Sequence, residues 1–415
     1  MALSIAGFIL RLTRHIFSIS CGLIRHKARA TYHGWTYQAA ESPKNVVIVG
    51  GSFAGIQAAK FLTETLPSGW RVVMIEKNSH FNFLFAFPRF SVIPGHEKKA
   101  FIPYKDITRA APIGSFQRIQ GFVNKVDSDA VWLKSGEKIA FSYLVIATGS
   151  SQQLPAKAAS TDHEGACEEL RSIHRQIQDA QRIAVIGAGA VGVEMATDIK
   201  SFHSTRDVTI FSSRDKLLPS FGPELHDCAS EVMDKMGVVM RYNERATVLP
   251  DAKSLQLSNG DVEKFDLVLV CTGQKPNSGI LQEYAPEAIS KTTHRILVRP
   301  TLQLQSPEAY ADNVFALGDV AETGGPKMAR AGFFQSMIVA ENIVSMINGK
   351  LPPRTYQPVL MMEGPIKLTL GKGQTCFYIP DPDGDNRIFT VRDKKEDLDV
   401  ANGWRMLGAR LPKDL

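Results

Sequence analysis

The hydrophobic positions of this chain gather into short unbroken runs, each stopped by glycine and followed by a helical repeat. "NVVIVGGSFAGIQAAKFL", from Asn45, runs apolar into Gly50, Gly51, Ser52, Phe53, Ala54 and Gly55 and then takes a 3.6-residue period. "IAVIGAGAVGVEMA" (183–196) repeats this with Gly187, Gly189 and Gly192. Runs that are apolar at every position read as strands buried on both faces. "WRVVMIEK" follows the first helix and ends its strand at Glu76, and "DVTIFSSR" (207–214) follows the second. "FSYLVIATGS" (141–150) and "FDLVLVCTGQKPN" (265–277) are matching closing strands that end at Ala147-Thr148-Gly149 and Thr272-Gly273. The order is fingerprint, closing strand, fingerprint, closing strand. It predicts an internally duplicated, doubly wound α/β fold.

A late strand, "NVFALGDVAE" (313–322), turns at Gly318-Asp319, and "GGPKMARAGFFQSMIVAENIVSMI" then reads as a long helix. The proline-rich "GKLPPRTYQP" (349–358) marks a linker. Beyond it the chain alternates like strands around the hairpin turn "PDPDGDNR" and ends near Trp404.

The first forty residues follow a different pattern. Ile5, Ile9, Leu12, Ile16, Ile19 and Leu23 fall on one helical face, and Arg11, Arg14, Ser18 and Arg25 on another. The two early arginines interrupt the apolar run too soon for a comfortable span of about twenty residues. Three readings stay open: a mitochondrial-type targeting helix, a helix lying in a membrane surface, and a disordered tail. Charge points to the same segment. The chain carries +6 overall, but residues 1–40 hold five Lys and Arg and no acid, which leaves +1 for the remainder. The body is neutral and shows no electrostatic footprint for nucleic acid. Five scattered cysteines without a close pair predict neither a disulfide framework nor a thiolate zinc site, with a reducing compartment as the default. The ten histidines show no ligand spacing, so no metal is expected.

The two glycine patterns carry the chemistry. In G-x-G-x-x-G the glycines make a tight turn and let a pyrophosphate approach a helix N-terminus. Ser52 holds the middle place of the first pattern and is small enough to do so. Glu76, twenty-six residues after Gly50, suits a ribose diol. In the second unit Ser212 takes that place, followed by Ser213 and Arg214, which can donate to a 2′-phosphate. NADPH is therefore expected to be used at least as well as NADH.

Over about residues 44–350 the chain resembles the two-dinucleotide-domain flavoprotein reductases. "PKMAR", "GVEMA", "EKKAFIPY" and the short C-terminal part are similar to the ferroptosis-suppressor and apoptosis-inducing-factor-like branch, related to type II NADH dehydrogenases. The resemblance implies two Rossmann-like domains, with an NAD(P)H domain (151–285) inserted in a FAD domain (44–150 and 290–350). Residues 1–40 would be a membrane-associating or targeting segment and 355–415 a short C-terminal α+β domain. It further implies that Gly50, Gly51, Ser52, Phe53, Ala54, Gly55, Glu76, Val123, Ala147, Thr148, Gly149, Asp319 and Lys327 hold FAD. Gly187, Gly189, Gly192, Ser212, Arg214 and Gly273 would hold NADPH or NADH.

Glu194, Lys327 and Arg89 are the candidate catalytic residues. Each has a plainer alternative: Glu194 as an acid favoured by the helix dipole, Lys327 as a solvated lysine, and the phenylalanine-rich "FLFAFPRFSV" around Arg89 as core. Lys394 and Trp404 loosely match the tail of the ferroptosis-suppressor branch. Disulfide reductases carry a cysteine pair on the first helix or in the NAD domain, and no such pair is expected here, so thiol reagents should spare activity. The implied function is electron transfer from NAD(P)H through flavin to a quinone-like acceptor, by a monomer or weak dimer. The implied location is intracellular and membrane-associated, mitochondrial or at a lipid surface. The alternatives are a flavoenzyme tailoring a secondary metabolite and a redox-sensing interaction protein.

Overall fold

Val46, Val47 and Ile48 are fully buried in the strand Lys44–Val49. β-Branched residues suit a pleated surface covered on both sides, and this strand is the centre of a five-stranded sheet. Its order is Val314–Ala316, Tyr143–Ile146, Lys44–Val49, Trp70–Glu76, Phe116–Gln120. All its pairings are parallel. Val49 pairs with Ile146, so the glycine turn and the closing Thr-Gly turn leave the sheet side by side. A computed structural model of the chain describes residues 2–107, 111–392 and 395–415, and Lys394 lies outside them.

The chain divides into two units: Met1–Ser79, Ile107–Ser151 and Lys275–Gly364 form the first, and His80–Asp106, Gln152–Gln274 and Pro365–Leu415 the second. In the first unit the helix Ala329–Ile347 packs along Phe53–Thr63, where Gly332 lets it come close to Ala54 and the Ser336 hydroxyl donates to Ala54 O at 2.9 Å. An antiparallel meander (Val123–Val126, Ala130–Leu133, Lys138–Ala140) precedes the closing strand. The two chain crossings at the unit's boundary, Ser150–Ser151 and Lys275–Pro276, pair antiparallel.

The second unit repeats the plan. Its parallel sheet runs Val239–Arg241, Asp207–Phe211, Arg182–Ile186, Leu267–Val270, and a second meander again precedes the closing strand. The C-terminal residues add an antiparallel sheet of Ile366–Thr369, Thr375–Ile379 and Arg387–Val391. Residues 80–106, placed by chain order with the flavin domain, belong to this second unit. Long-range packing decides it: Trp404, buried, donates from Nε1 to Lys99 O at 2.9 Å, and Arg89 reaches Asp198.

The expectation about cysteines is corrected in the same unit. Cys228 and Cys376 form a disulfide across 148 residues, joining the helix Pro223–Lys235 to the strand Thr375–Ile379. Partners that distant carry no spacing signal, which is why the sequence hides them.

Ala2–Thr36 forms one helix, and its Ala6–Thr36 stretch is long and apolar enough to cross a membrane. The face turned to the body differs from the expected one. Phe8 and His33 are buried and Ile19, Gly22 and His26 half-buried, whereas Ile9, Ile16 and Leu23 are exposed. The His33 ring meets Leu66 O, and His26 meets Glu64 Oε2 at 2.6 Å. Polar anchors, invisible to a count of apolar positions, set the rotation of the helix. An outward stripe of Leu10, Phe17 and Ile24 remains, with Arg14 and Arg25 beside it.

Candidate functional site

In the first unit Gly50 has φ +103°, and a Cβ there would lie 2.3 Å from Ala147 O. A Cβ on Gly55 would sit 1.9 Å from Gly50 O. Only glycine permits both the turn and the close seating of the helix. Ser52 stands exposed at the helix start with its hydroxyl unused for capping, and Phe53 and Ala54 are half-exposed behind it. A helix N-terminus set at this turn favours an anion. Glu76 is buried: its Oε2 accepts from Gly51 N at 2.5 Å and its Oε1 from Asn78 N at 2.9 Å. A carboxylate with about four lone-pair sites keeps acceptor capacity for a diol.

At the closing turn Thr148 and Asn277 bond reciprocally: Thr148 Oγ1 donates to Asn277 O at 2.9 Å and Asn277 Nδ2 to Thr148 O at 2.8 Å. Gly149 follows with φ +65°. Gly318 (φ +76°) donates its N–H to Gln335 Oε1 at 2.8 Å, and half-buried Asp319 accepts from Ser150 Oγ at 3.3 Å. Lys327 is not a solvated lysine. Its Nζ donates to Ala321 O at 2.7 Å, and burial draws its pKa down against the pull of Glu322. Val123 is buried in the meander's apolar cluster.

The second cradle has the same geometry. Gly187 has φ +108°, and a Cβ on Gly192 would fall 1.9 Å from Gly187 O. Gly189 opens the helix Ala190–Phe202 and has nothing within 4 Å of its missing side chain, room that a pyrophosphate needs. Gly273, φ +78°, also faces open space. Ser212 departs from expectation. It is buried, its hydroxyl donates to Lys216 O at 2.9 Å and accepts from Arg214 N at 3.2 Å, and so it is spent on its own turn. Arg214 is exposed.

Glu194 lies half-buried on that helix, and its Oε1 accepts from Thr369 N at 3.2 Å and Thr369 Oγ1 at 3.1 Å. One turn on, Asp198 is fully buried and pairs with Arg89 Nη2 at 2.7 Å, a close but poorly aligned contact. Arg89 Nη2 also donates to Gly371 O at 3.0 Å. Arg89 is 2% exposed, which corrects the expectation that it faces an open acceptor pocket. Of the four phenylalanines before it, Phe81 and Phe87 are core and Phe85 is 58% exposed. Asp198 and Thr369 were missed in sequence. The i, i+4 spacing of Glu194 and Asp198 was the available signal for the first, and nothing signals the second.

Burial, with the neighbouring Asp198 adding to it, pushes the Glu194 carboxyl up to about 7. The folded protein therefore holds more protons than the unfolded chain between the ordinary carboxyl range and about 7, and stability falls as pH rises through that window. Glu194→Gln is expected to remove this fall, a gain of at most about 3 kcal/mol at pH 8. Urea unfolding of both proteins at pH 5 and pH 8 measures it, and an equal difference at the two pH values would be contrary.

The pyridine nucleotide-disulphide oxidoreductase pattern matches residues 44–336. The chain is 31% identical to Fe-regulated protein 8 of Mycosarcoma maydis over 355 residues, 79% of this chain and 87% of that protein. It is 30% identical to ferroptosis suppressor protein 1 of Xenopus tropicalis over 398 residues, 90% and 99% of the two chains. Its fold is similar to the crystal structure of sulfide:quinone oxidoreductase from Aquifex aeolicus, with TM-score 0.70, 19% identity and coverage of 89% and 93%. Two glycine cradles, each between an apolar strand and a helix, are what such a fold needs for two dinucleotides, and the chain belongs to the pyridine nucleotide-disulphide oxidoreductase family as a FAD- and NAD(P)H-dependent oxidoreductase.

Proposed function

We propose that the first unit holds FAD, the second holds NAD(P)H, and the electrons pass through the flavin to a quinone-class acceptor. The observation that carries this reading is the duplicated cradle, in which the third glycine of each pattern admits no side chain beside the first. The flavin supplies hydride acceptance and two-electron release. Around it, Gly50, Gly51, Ser52 and Gly55 seat the pyrophosphate, Glu76 takes the ribose diol and Asp319 the ribityl hydroxyls. Lys327, half-buried, is placed to hold or give a proton. In the second unit Gly187, Gly189 and Gly192 seat the nicotinamide cofactor, and exposed Arg214 is the donor available to a 2′-phosphate. Glu194 orients the nicotinamide end.

The cysteines support this class of acceptor, and the Cys228–Cys376 disulfide belongs to the second unit, not to the unit read as holding FAD. No cysteine lies on the helix Phe53–Thr63. Burial pushes the Cys167 and Cys271 thiols up to about 12, which makes them poor thiolates. A diffusible acceptor of two electrons and two protons fits the task. Replacing Asp319 by Ala should remove a charge-assisted bond to FAD, about 1.5–3 kcal/mol, or roughly tenfold to hundredfold in affinity. Flavin absorbance after dialysis measures it, and undiminished FAD retention would be contrary.

A membrane-surface location for this chemistry is supported by the N-terminal helix. Its outward apolar stripe and adjacent arginines suit an anionic bilayer, with the helix lying in the interface. A protein starting at Ser42 should stay folded, keep turnover with a water-soluble quinone, and no longer sediment with anionic vesicles. Unfolding of that shortened protein would show that the helix is part of the core.

A further inference from the structure

Behind the Gly318–Asp319 turn runs a polar chain that neither cradle explains. Glu363, 2% exposed, accepts a hydrogen bond from the hydroxyl of buried Tyr356 and another from Val359 N at 3.3 Å. Neither partner is a cation, and among the described residues no ion pair to this carboxyl is found. Gln335 and Thr323 lie close enough to draw the proton affinity of the Tyr356 hydroxyl down, against its burial. Gln335 Nε2 lies 3.5 Å and Lys327 Nζ 3.4 Å from Thr323 Oγ1. Gly325 keeps the line open, because a Cβ there would lie 2.4 Å from the Tyr356 hydroxyl. Glu363, Tyr356, Thr323 and Lys327 thus run in sequence from a buried acid to the half-buried lysine. The charged groups acting on Lys327 from neighbouring elements are Glu322, Arg295 and Asp319.

We propose that Glu363, Tyr356 and Thr323 form a proton-supply line that recharges Lys327 during quinone reduction. This rests on the reading of the first unit as the flavin-holding one. Reducing a quinone to a hydroquinone takes two electrons and two protons. NAD(P)H supplies both electrons and one proton as hydride, and the second proton comes from an acid. Lys327 gives up an ammonium proton. Its Nζ then takes the Thr323 hydroxyl proton, Thr323 takes that of Tyr356, and Tyr356 takes that of Glu363. One proton moves and no electron does. Burial raises the proton affinity of both Glu363 and Tyr356, in keeping with a store that stays filled near neutrality. Leu360, one turn from Glu363, is exposed, which puts the refilling end close to solvent.

The test uses the full-length, FAD-loaded protein and the variants Glu363→Gln, Tyr356→Phe and Thr323→Val. Anaerobic stopped-flow should show flavin reduction by NAD(P)H within about twofold of the parent. Reoxidation by a water-soluble quinone should slow by about tenfold or more. The slowed step should gain a direct dependence on proton concentration, because its proton now comes from solvent, and the parent's solvent isotope effect on reoxidation should change. A loss of packing alone would not produce that pH dependence. Three variants that reoxidise at the parent's rate, with the parent's pH profile, would overturn the proton line while leaving the flavin assignment standing. If the variants fail to retain FAD, the parent decides: reoxidation without a solvent isotope effect and independent of pH from about 6 to 9 would overturn it. A parent protein that takes up no FAD would overturn the underlying reading as well.

Discussion

Replacing Arg89 by leucine should destabilise the second unit by about 3–5 kcal/mol, the usual cost of removing one partner of a buried ion pair. The change leaves Asp198, fully buried and 2.7 Å from the guanidinium, without the cation it pairs with. It also strands Gly371 O, which accepts from Arg89 at 3.0 Å, and removes the guanidinium from the Phe202 ring 5.4 Å away. Urea unfolding read by circular dichroism measures the loss. The double variant Arg89→Leu, Asp198→Leu should recover much of it, since the uncompensated charge is then gone. A loss below about 1 kcal/mol would contradict an ionised Asp198 in the folded protein.

Gly192→Ala should slow flavin reduction by NAD(P)H at least about 100-fold, the scale expected when a reacting group is displaced by about 1 Å. The new Cβ falls 1.9 Å from a backbone oxygen, Gly187 O, and no rotamer relieves it, so the helix Ala190–Phe202 must lift off its strand. Gly187 and Gly192 both lie in the second unit, and FAD assigned to the first should remain bound and reducible by dithionite. Stopped-flow absorbance with each reductant separates the two effects. Normal reduction by NADH and NADPH in this variant would remove the second cradle from the electron path.

The repeated strand–glycine–helix pattern made the fold readable from the amino acids, because a parallel sheet buried on both faces leaves unbroken apolar runs. Gly50, Gly55, Gly187 and Gly192 were readable for a related reason: backbone that close excludes every other residue. What stayed hidden depends on distant partners. Arg89 beside a phenylalanine-rich stretch looks like a pocket residue until Asp198, far along the chain, is brought to it. Ser212 sits at the expected strand end, but its hydroxyl is consumed by Lys216 and Arg214 of its own turn. The Cys228–Cys376 bond and the Glu363–Tyr356 pair show the same limit from opposite sides. The first spans 148 residues, and the second is close in sequence yet gains its meaning from Thr323 and Lys327. A helix was among the open readings of residues 1–40, but its rotation was not legible, since His26 and His33 anchor it through polar contacts.

The most direct test of electron flow from NAD(P)H through flavin to a quinone is a double-mixing stopped-flow experiment on the FAD-loaded protein under anaerobic conditions. NADH or NADPH should bleach the flavin absorbance, and a water-soluble quinone added next should restore it with matching hydroquinone formation, before and after alkylation of the thiols. A protein that binds no FAD, or a bleached flavin that quinone fails to reoxidise, would contradict the account.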